Sequence, residues 1–146
     1  MFRMFEILTA AEMKQAESST IVAGTPGIQL MTAAGDAVAR EIQTKLAPCP
    51  VLLLCGPGNN GGDGFIVAQA LKKSGWPVRV ACHLKRTALK GDAALAAQKW
   101  DGEVEALNSN LSVHQTGLIV DASSYGAKGG GGMGDATSKN LVATKA

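Results

Sequence analysis

The length and composition of this chain, 146 residues of which 46% are hydrophobic and 18% charged, are typical of a single globular domain. A net charge of +2, dispersed basic residues and an aromatic content of 4% argue against a nucleic-acid interface, and no apolar stretch approaches the roughly 20 residues that cross a bilayer. Three cysteines without metal-ligand spacing fit the reducing cytoplasm, so we expect a cytoplasmic protein with neither nucleic-acid nor membrane partners.

Helices are predicted in the first third of the chain. Thr9 and Glu12 have the spacing of a capping box, which predicts that the first helix begins at Thr9. Pro26 can open a second helix, because apolar residues then recur at three- and four-residue intervals as far as Leu46. Pro48 ends this second helix.

Strands alternating with helices are predicted in the middle of the chain. Residues 51–55 form a short, continuous apolar run, which is typical of a strand covered on both faces, and further strands are predicted over 76–82 and 118–121. A helix over 63–74 connects the first two strands, and a right-handed crossover makes them parallel. Another helix is predicted over 89–100. The alternation predicts an α/β fold with an open parallel sheet of about three strands.

The segment GPGNNGGDG, residues 56–64, joins the first predicted strand to a helix and is where we expect the functional site. The unpaired amides and the positive dipole end of a helix's first turn both favour phosphate. Glycine at positions 56, 58, 61 and 62 removes Cβ atoms that would keep a ligand away from the main chain. The segment also fits the dinucleotide pattern GxGxxG, which by itself is a weak signal.

Two comparisons narrow the class of nucleotide site. The second predicted strand is followed only by basic residues, where NAD enzymes have an acidic residue for the ribose hydroxyls, so an NADP-type interpretation would use Lys85 or Arg86. No Lys-Ser or Lys-Thr pair follows the glycines, which excludes a Walker phosphate loop.

Polar residues in and near this segment leave two interpretations open. Asn59 and Asn60 are either turn-formers followed by a helix N-cap at Asp63, or all three supply oxygens to a cation or to ligand hydroxyls. Asp121 ends the third predicted strand, where it either faces the ligand crevice or caps a loop. Cys55 is either a small buried residue or a thiol of low pKa near the helix start.

Five segments in this order resemble the YjeF N-terminal family, the NAD(P)H-hydrate epimerases: LTAAEM, TPGIQLM, GPGNNGGDG, LKGDAA and LIVDA. The resemblance covers residues 8–122, the expected domain, and leaves residues 123–146 as an atypical Gly-rich tail that we expect to be disordered. It implies a Rossmann-like three-layer α/β/α domain, incomplete in this chain, that interconverts the R and S epimers of hydrated NADH and NADPH.

The resemblance also implies the roles of individual residues. The segment that contacts the dinucleotide maps onto Asn59, Asn60, Gly61, Gly62 and Asp63. Potassium is assigned to Asn60 and Asp121. Asp121 is also the candidate catalytic residue, because epimerisation needs proton transfer and stabilisation of a charged ring, both of which a carboxylate can supply. The implied partners are the hydrated dinucleotide as substrate, a dehydratase as a separate protein or fused domain, and a second copy in a homodimer.

The chain departs from the family pattern in two places. Residues 31–35 read MTAAG where the family usually has Met-Glu-Asn-Ala-Gly, so a polar pair facing the site is lost. After Ala122 the family's Leu-Phe-Gly-Thr-Gly ligand loop is replaced by residues 123–126, SSYG, and the family's remaining elements are missing, as in a truncated or frameshifted chain. We therefore expect an uncovered apolar sheet edge and weak or absent activity.

Two other functions stay open at this point. One is a non-catalytic module that binds a dinucleotide or a protein. The other is a fragment of an NADP-dependent oxidoreductase, against which the Asn59-Asn60 pair and the missing acidic ribose ligand both count.

Overall fold

The computed structural model describes residues 27–123 and 142–145, and within them helices and strands alternate along the chain. The α-helices are α1 (Gly27–Lys45), α2 (Asn59–Lys73) and α3 (Gly91–Lys99), and a 3-10 turn spans Arg86–Ala88. The strands are β1 (Val51–Cys55), β2 (Val78–Cys82), β3 (Val104–Ala106), β4 (Leu118–Ala122) and β5 (Val142–Lys145).

These strands form one sheet in the order β3-β2-β1-β4-β5. The first four strands are mutually parallel, while β5 runs antiparallel to β4. β1 lies at the centre, and its last residue, Cys55, is in register with Cys82 on one side and Ala122 on the other. The carboxyl ends of three parallel strands therefore meet at one edge of the sheet, and the Rossmann-like α/β prediction is confirmed.

The described helices pack together on one face of this sheet. α2 contacts β1, β2 and β4, and both α1 and α3 pack against α2. The approach of α1 to α2 is close, because a Cβ atom at Gly35 would overlap the side chain of Ile66. Such helix contacts depend on glycine, since any side chain would push the two backbones apart.

The core lies between the helices and the sheet. Phe65, Leu53 and Ile42, which come from α2, β1 and α1, are all 0% exposed. Trp76 and Trp100 are also buried, and the indole of Trp100 donates a hydrogen bond to the Glu103 carbonyl oxygen at 3.0 Å. Burial of large apolar side chains from every layer holds the elements in register.

Two predicted boundaries need correction. α2 begins at Asn59 rather than near residue 63, so Gly58 is its N-cap and the interpretation of Asp63 as the N-cap is wrong. The second strand begins at Val78 rather than at residue 76. The predicted first helix at Thr9 lies outside the described residues.

The sheet has two strands that the sequence did not predict. β3 has only three residues, and its pairing with β2 is supported by a two-pronged ion pair in which Arg79 donates to both carboxylate oxygens of Glu105, at 2.8 and 2.7 Å. β5 lies in the tail that was expected to be disordered, and this expectation is wrong for Val142–Lys145. Because β5 pairs with β4 along residues 118–121, that edge of the parallel sheet is covered, not open as expected.

We predict that deletion of residues 142–146 destabilises the protein. The deletion removes the antiparallel partner of β4 and leaves an unpaired, apolar strand edge. We expect the free energy of unfolding to fall by about 1–3 kcal/mol, with concentration-dependent association. Urea denaturation and size-exclusion chromatography measure the two effects. Removal of Ala146 alone is the matched control, and equal stability of the two shortened chains would contradict the role of β5.

Candidate functional site

The Gly-rich turn between β1 and α2 presents the open start of a helix. Gly56 N–H donates to the Ala122 carbonyl oxygen at 2.9 Å, which ties the turn to β4. Gly58 is the N-cap, and the Gly62 N–H donates to its carbonyl oxygen at 3.2 Å as the first turn of the helix closes. The amides of residues 59–61 precede that bond and so have no partner within the helix.

Two features leave this helix start available to an anion. Gly58 makes no side-chain cap bond, and the first turn of α2 contains no acidic residue. The dipole of α2 adds partial positive charge to the same point, and its last turn carries Lys72 and Lys73 at the opposite, negative end. A phosphate placed here would receive both backbone hydrogen bonds and the favourable field of the helix.

The loop glycines have different roles from those expected. A Cβ atom at Gly61 would overlap the Gly56 carbonyl oxygen, one at Gly56 would lie 2.7 Å from the Ser123 carbonyl oxygen, and one at Gly62 would lie 2.8 Å from the Met31 sulfur. Gly56 and Gly61 are therefore required by the protein's own backbone packing, whereas a Cβ atom at Gly62 would meet the flexible end of Met31 and, at 3.0 Å, the Ala93 Cα atom. Only at Gly58, among the four, does a Cβ atom meet no described heavy atom within 4 Å. The expectation that all four clear a path for a ligand is thus supported for Gly58 alone.

Asp63 lies one turn inside α2 rather than at its start. The residue is 1% exposed, and its carboxylate is close enough to Cys55 to contribute to the raised pKa of that thiol. The Asp63 side chain therefore lies inside the junction between β1 and α2, next to Cys55. Direct contact between Asp63 and a dinucleotide stays a prediction.

Cys55 is a buried structural residue. It is 0% exposed, and burial, followed by the nearby Cys82, Asp63 and Asp121, raises the pKa of its thiol well above the ordinary value. A raised pKa keeps the thiol protonated at neutral pH, which makes it a poor nucleophile. The interpretation as a small buried residue is confirmed, and the low-pKa alternative is wrong.

Asp121 lies on the strand next to the Gly-rich turn. It is in register with Leu54, and the following residue, Ala122, accepts the hydrogen bond from Gly56. Its Oδ1 atom accepts hydrogen bonds from the Ser123 backbone N–H at 2.9 Å and from the Ser123 hydroxyl. The loop-capping interpretation is therefore correct for one carboxylate oxygen.

The other oxygen of Asp121 leaves room for a second role. Oδ2 accepts no hydrogen bond from the described residues, and the side chain is only partly buried. Strand alternation points this side chain away from the sheet face where Val120 and Ala122 join the helix-packed core. Asp121 thus adjoins the turn through the backbone, and its carboxylate lies on the sheet face opposite Asp63.

The donors around Asp121 are compatible with potassium. Within the described residues there is no group of three or more His, Cys, Asp or Glu side chains that could hold a metal. The Asp121 carboxylate, the Ser123 hydroxyl and the Ser123 carbonyl oxygen beside Gly56 are instead all oxygen donors with a single negative charge. Hard cations prefer oxygen ligands, so this donor set suits a weakly charged cation better than a transition metal.

Ser123 is the site residue that sequence reasoning missed. Its backbone and hydroxyl both contact Asp121, and its carbonyl oxygen lies against Gly56. The signal was present, because an Asp side chain commonly accepts a hydrogen bond from the backbone N–H two residues later.

The residue that replaces the family's glutamate lies elsewhere. Thr32 donates its hydroxyl to the Ile28 carbonyl oxygen at 2.8 Å and accepts from Lys99 at 3.2 Å. Thr32 lines a cleft of about 370 Å³ among the helices, together with Gln69 and Lys73 near the end of α2. Because the Thr32 hydroxyl donates its hydrogen within its own helix, it does not supply a hydrogen-bond donor to the Gly-rich turn.

The arrangement defines a class of protein fold, the Rossmann-like α/β domains, in which ligands generally bind in the crevice at the carboxyl ends of parallel strands. Residues 27–131 match the family described as YjeF-related protein N-terminus, and the chain belongs to this family.

Relatives from bacteria extend this likeness over most of the chain. It is 36% identical over 130 residues to a protein of Rhodobacter capsulatus and 33% identical over 129 residues to one of Roseobacter litoralis, both named NAD(P)H-hydrate epimerase. These matches cover 82% and 84% of this chain. The chain spans only 61% and 56% of the two relatives' lengths.

A solved structure supports the fold. The crystal structure of the yeast protein ynu0 superposes with a TM-score of 0.59 at 23% sequence identity, covering 82% of this chain and 57% of that one. Among residues 27–123 and 142–145, no helix combines the length and apolar character needed to cross a membrane.

We predict that alanine at two loop glycines destabilises the protein to different extents. Gly61→Ala forces a Cβ atom onto the Gly56 carbonyl oxygen and should lower the free energy of unfolding by about 1–3 kcal/mol. Gly58→Ala places a methyl group in open space on an extended backbone and should cost less than about 1 kcal/mol. Urea denaturation of the pair checks this, and equal losses would contradict the assigned packing roles.

We predict that Cys55 resists alkylation in the folded protein. Burial and a raised pKa deny iodoacetamide both access and thiolate, whereas Cys49 is partly exposed and serves as the internal reference. Peptide mapping should find Cys55 modified only in denaturant. Because the folded pKa is raised, the unfolded thiol ionises first, so stability should fall as the pH rises above about 8.5, and less so in Cys55→Ala. Rapid native labelling of Cys55 would refute its burial.

Proposed function

We propose that this chain forms the dinucleotide-binding part of an NAD(P)H-hydrate epimerase, which interconverts the R and S epimers of hydrated NADH and NADPH. The observation that carries the proposal is the open start of α2 at Gly58, one strand away from Asp121, in a member of the YjeF-related family. The names of its relatives supply the reaction. We propose residues 8–122 as the functional domain and the cytoplasm as its compartment.

Phosphate recognition is assigned to the main chain. The amides of Asn59, Asn60 and Gly61 would donate to the pyrophosphate, because they precede the first closed turn of α2. Gly62 and Asp63 would support this segment from the protein side. Gly62 leaves space for the Met31 side chain, and Asp63 is buried beneath the turn. The phosphates would thereby fix the position of the hydrated ring.

Asp121 is the proposed catalytic carboxylate. In the reaction, the ring hydroxyl takes up a proton and leaves as water, the ring becomes positively charged, and water returns to the opposite face with release of a proton. A carboxylate near the ring can stabilise the cation and accept that proton. The bonds from Ser123 to Oδ1 would hold the carboxylate in place and leave Oδ2 for the substrate or a cation.

Potassium is proposed to bind through Asn60 and Asp121. When bound, it would supply a fixed positive charge that orients oxygen atoms of the substrate and the protein. The oxygen donors near Ser123 support this assignment. A dehydratase that consumes one epimer, and a second copy of this chain, are the proposed protein partners.

A binding module without turnover is the alternative that one observation favours. Oδ1 of Asp121 is committed to Ser123, where relatives of this family were expected to continue into a second ligand loop. A chain in which this carboxylate oxygen is occupied would retain the phosphate site and bind the dinucleotide with little catalysis.

We predict potassium-dependent epimerisation that depends on Asp121. The purified protein is incubated with the R epimer of hydrated NADPH, with and without potassium, and the S epimer is followed by chromatography against a protein-free blank. Asp121→Asn removes the charge but keeps an oxygen for Ser123, so we expect a loss of about 100-fold or more in rate.

The matched control is Asp101→Asn, which removes a carboxylate from an exposed ion pair with Lys72 on the protein surface. It should leave the rate unchanged. Binding of the hydrated dinucleotide without conversion would favour the module, and hydride exchange with ordinary NADP would favour an oxidoreductase. A rate equal to the blank in the presence of bound substrate would overturn the enzyme assignment.

A further inference from the structure

A second cleft, of about 660 Å³, lies between the residues that follow β2 and residues 102–106, which comprise β3 and the two residues before it. We call it the β2–β3 cleft. Its β2 side is formed by the residues that follow the strand, His83, Leu84, Lys85 and Arg86, and its β3 side includes Glu103. None of these residues takes part in the phosphate site at the start of α2 or in the proposed chemistry at Asp121.

The cleft lies beside the Gly-rich turn. The backbone N–H of His83 donates to the Cys55 carbonyl oxygen at 3.2 Å, directly before Gly56. Cys55 and Cys82 are also in register, so the cleft begins one strand spacing, about 4.8 Å, from the strand that enters the turn. In dinucleotide-binding sheets the end of this second strand receives the adenosine ribose, where an acidic residue selects the 2′-hydroxyl and a basic one accommodates a 2′-phosphate.

The charges around the cleft favour a phosphate. Lys85 is exposed, and Arg86 is held in place because its guanidinium donates to the Gly102 carbonyl oxygen at 2.7 Å. Glu105 does not oppose them, because Arg79 pairs with both its oxygens and holds the pKa of the carboxyl below its ordinary value. Two cations therefore face one unneutralised carboxylate, that of Glu103.

The same cleft offers an apolar contact. Leu84 is 40% exposed although most large aliphatic side chains of the described residues are buried. An exposed leucine between a histidine and a lysine, in a cleft, is a suitable surface for a flat adenine ring. The residues that follow β2 therefore provide partners for both the base and a ribose phosphate.

We propose that the β2–β3 cleft binds the adenosine ribose of the dinucleotide and that Lys85 and Arg86 select its 2′-phosphate, so that hydrated NADPH is preferred over hydrated NADH. The inference rests on the proposed function for the location of the pyrophosphate. It concerns the choice between the two cofactor forms, which depends on groups far from the reacting ring. Lys85 and Arg86 are thus specificity residues and take no part in catalysis.

The test measures binding of NADP⁺ and NAD⁺, which differ only in the 2′-phosphate, to the full chain by isothermal titration calorimetry. We expect NADP⁺ to bind about 10- to 100-fold more tightly, the range that one or two charge-assisted hydrogen bonds supply. Lys85→Gln and Arg86→Gln should each reduce this ratio at least about 5-fold by weakening NADP⁺ alone. Arg86→Gln removes the positive charge and shortens the side chain that reaches the Gly102 carbonyl oxygen.

Controls separate this inference from the function on which it rests. Lys73→Gln removes a lysine from the distant end of α2 and should leave the ratio of the two affinities unchanged. Lys85→Arg keeps the positive charge and should retain the preference that Lys85→Gln loses. Thermal unfolding midpoints show that each variant is folded. Equal affinities for the two dinucleotides, with both bound, would overturn the specificity inference alone. No binding of either dinucleotide would overturn the phosphate site at α2 and this inference with it.

Discussion

The closeness of two glycines, Gly56 and Gly61, is the constraint on which the site depends. Because Gly61 has no Cβ atom, the start of α2 can lie against the Gly56 carbonyl oxygen. The chain therefore leaves β1 and enters α2 within three residues. The start of α2 is thereby placed directly over the carboxyl end of the central strand. A bulkier turn would displace the helix and move its free amides away from the neighbouring strands.

This constraint is reinforced from the adjacent strand. The carbonyl oxygen of Ser123 lies in the space that a Gly56 side chain would fill, and the hydroxyl and amide of Ser123 hold Asp121. The same short segment of chain therefore shapes the turn and orients the carboxylate. A change at Ser123 would therefore alter both the turn and the position of the carboxylate, and with them both the proposed phosphate site and the proposed chemistry.

The sequence predicts the site better than it predicts the outer strands. A buried apolar run followed by glycines identifies β1 and the turn, and the position of Asp121 at the end of a parallel strand follows from the sheet rule. The helix start at Asn59 was missed, because glycines at positions 61, 62 and 64 lower helix propensity and Gly58 gives no capping signal. β3 was missed because three residues carry no periodicity and the strand depends on the distant partner Arg79.

The roles of the glycines show the limit of local patterns. Gly58 and Gly61 are equivalent in a motif, yet one faces open space and the other contacts the main chain. What distinguishes them is the neighbouring backbone, which only the folded chain supplies. Asp63 gives the same lesson, since its burial follows from where α2 begins and not from its chemical type.

The direction of β5 determines where an attached polypeptide would emerge. Lys145 is opposite Leu118, the first residue of β4, whereas Val142 is opposite Asp121. The chain thus leaves β5 at the amino-terminal edge of the parallel strands, about 10 Å along the sheet from the ligand crevice. A polypeptide joined at this point, such as an affinity tag, a surface linker or a second enzyme, would extend from the amino-terminal edge of the sheet. The crevice at the opposite edge would stay accessible.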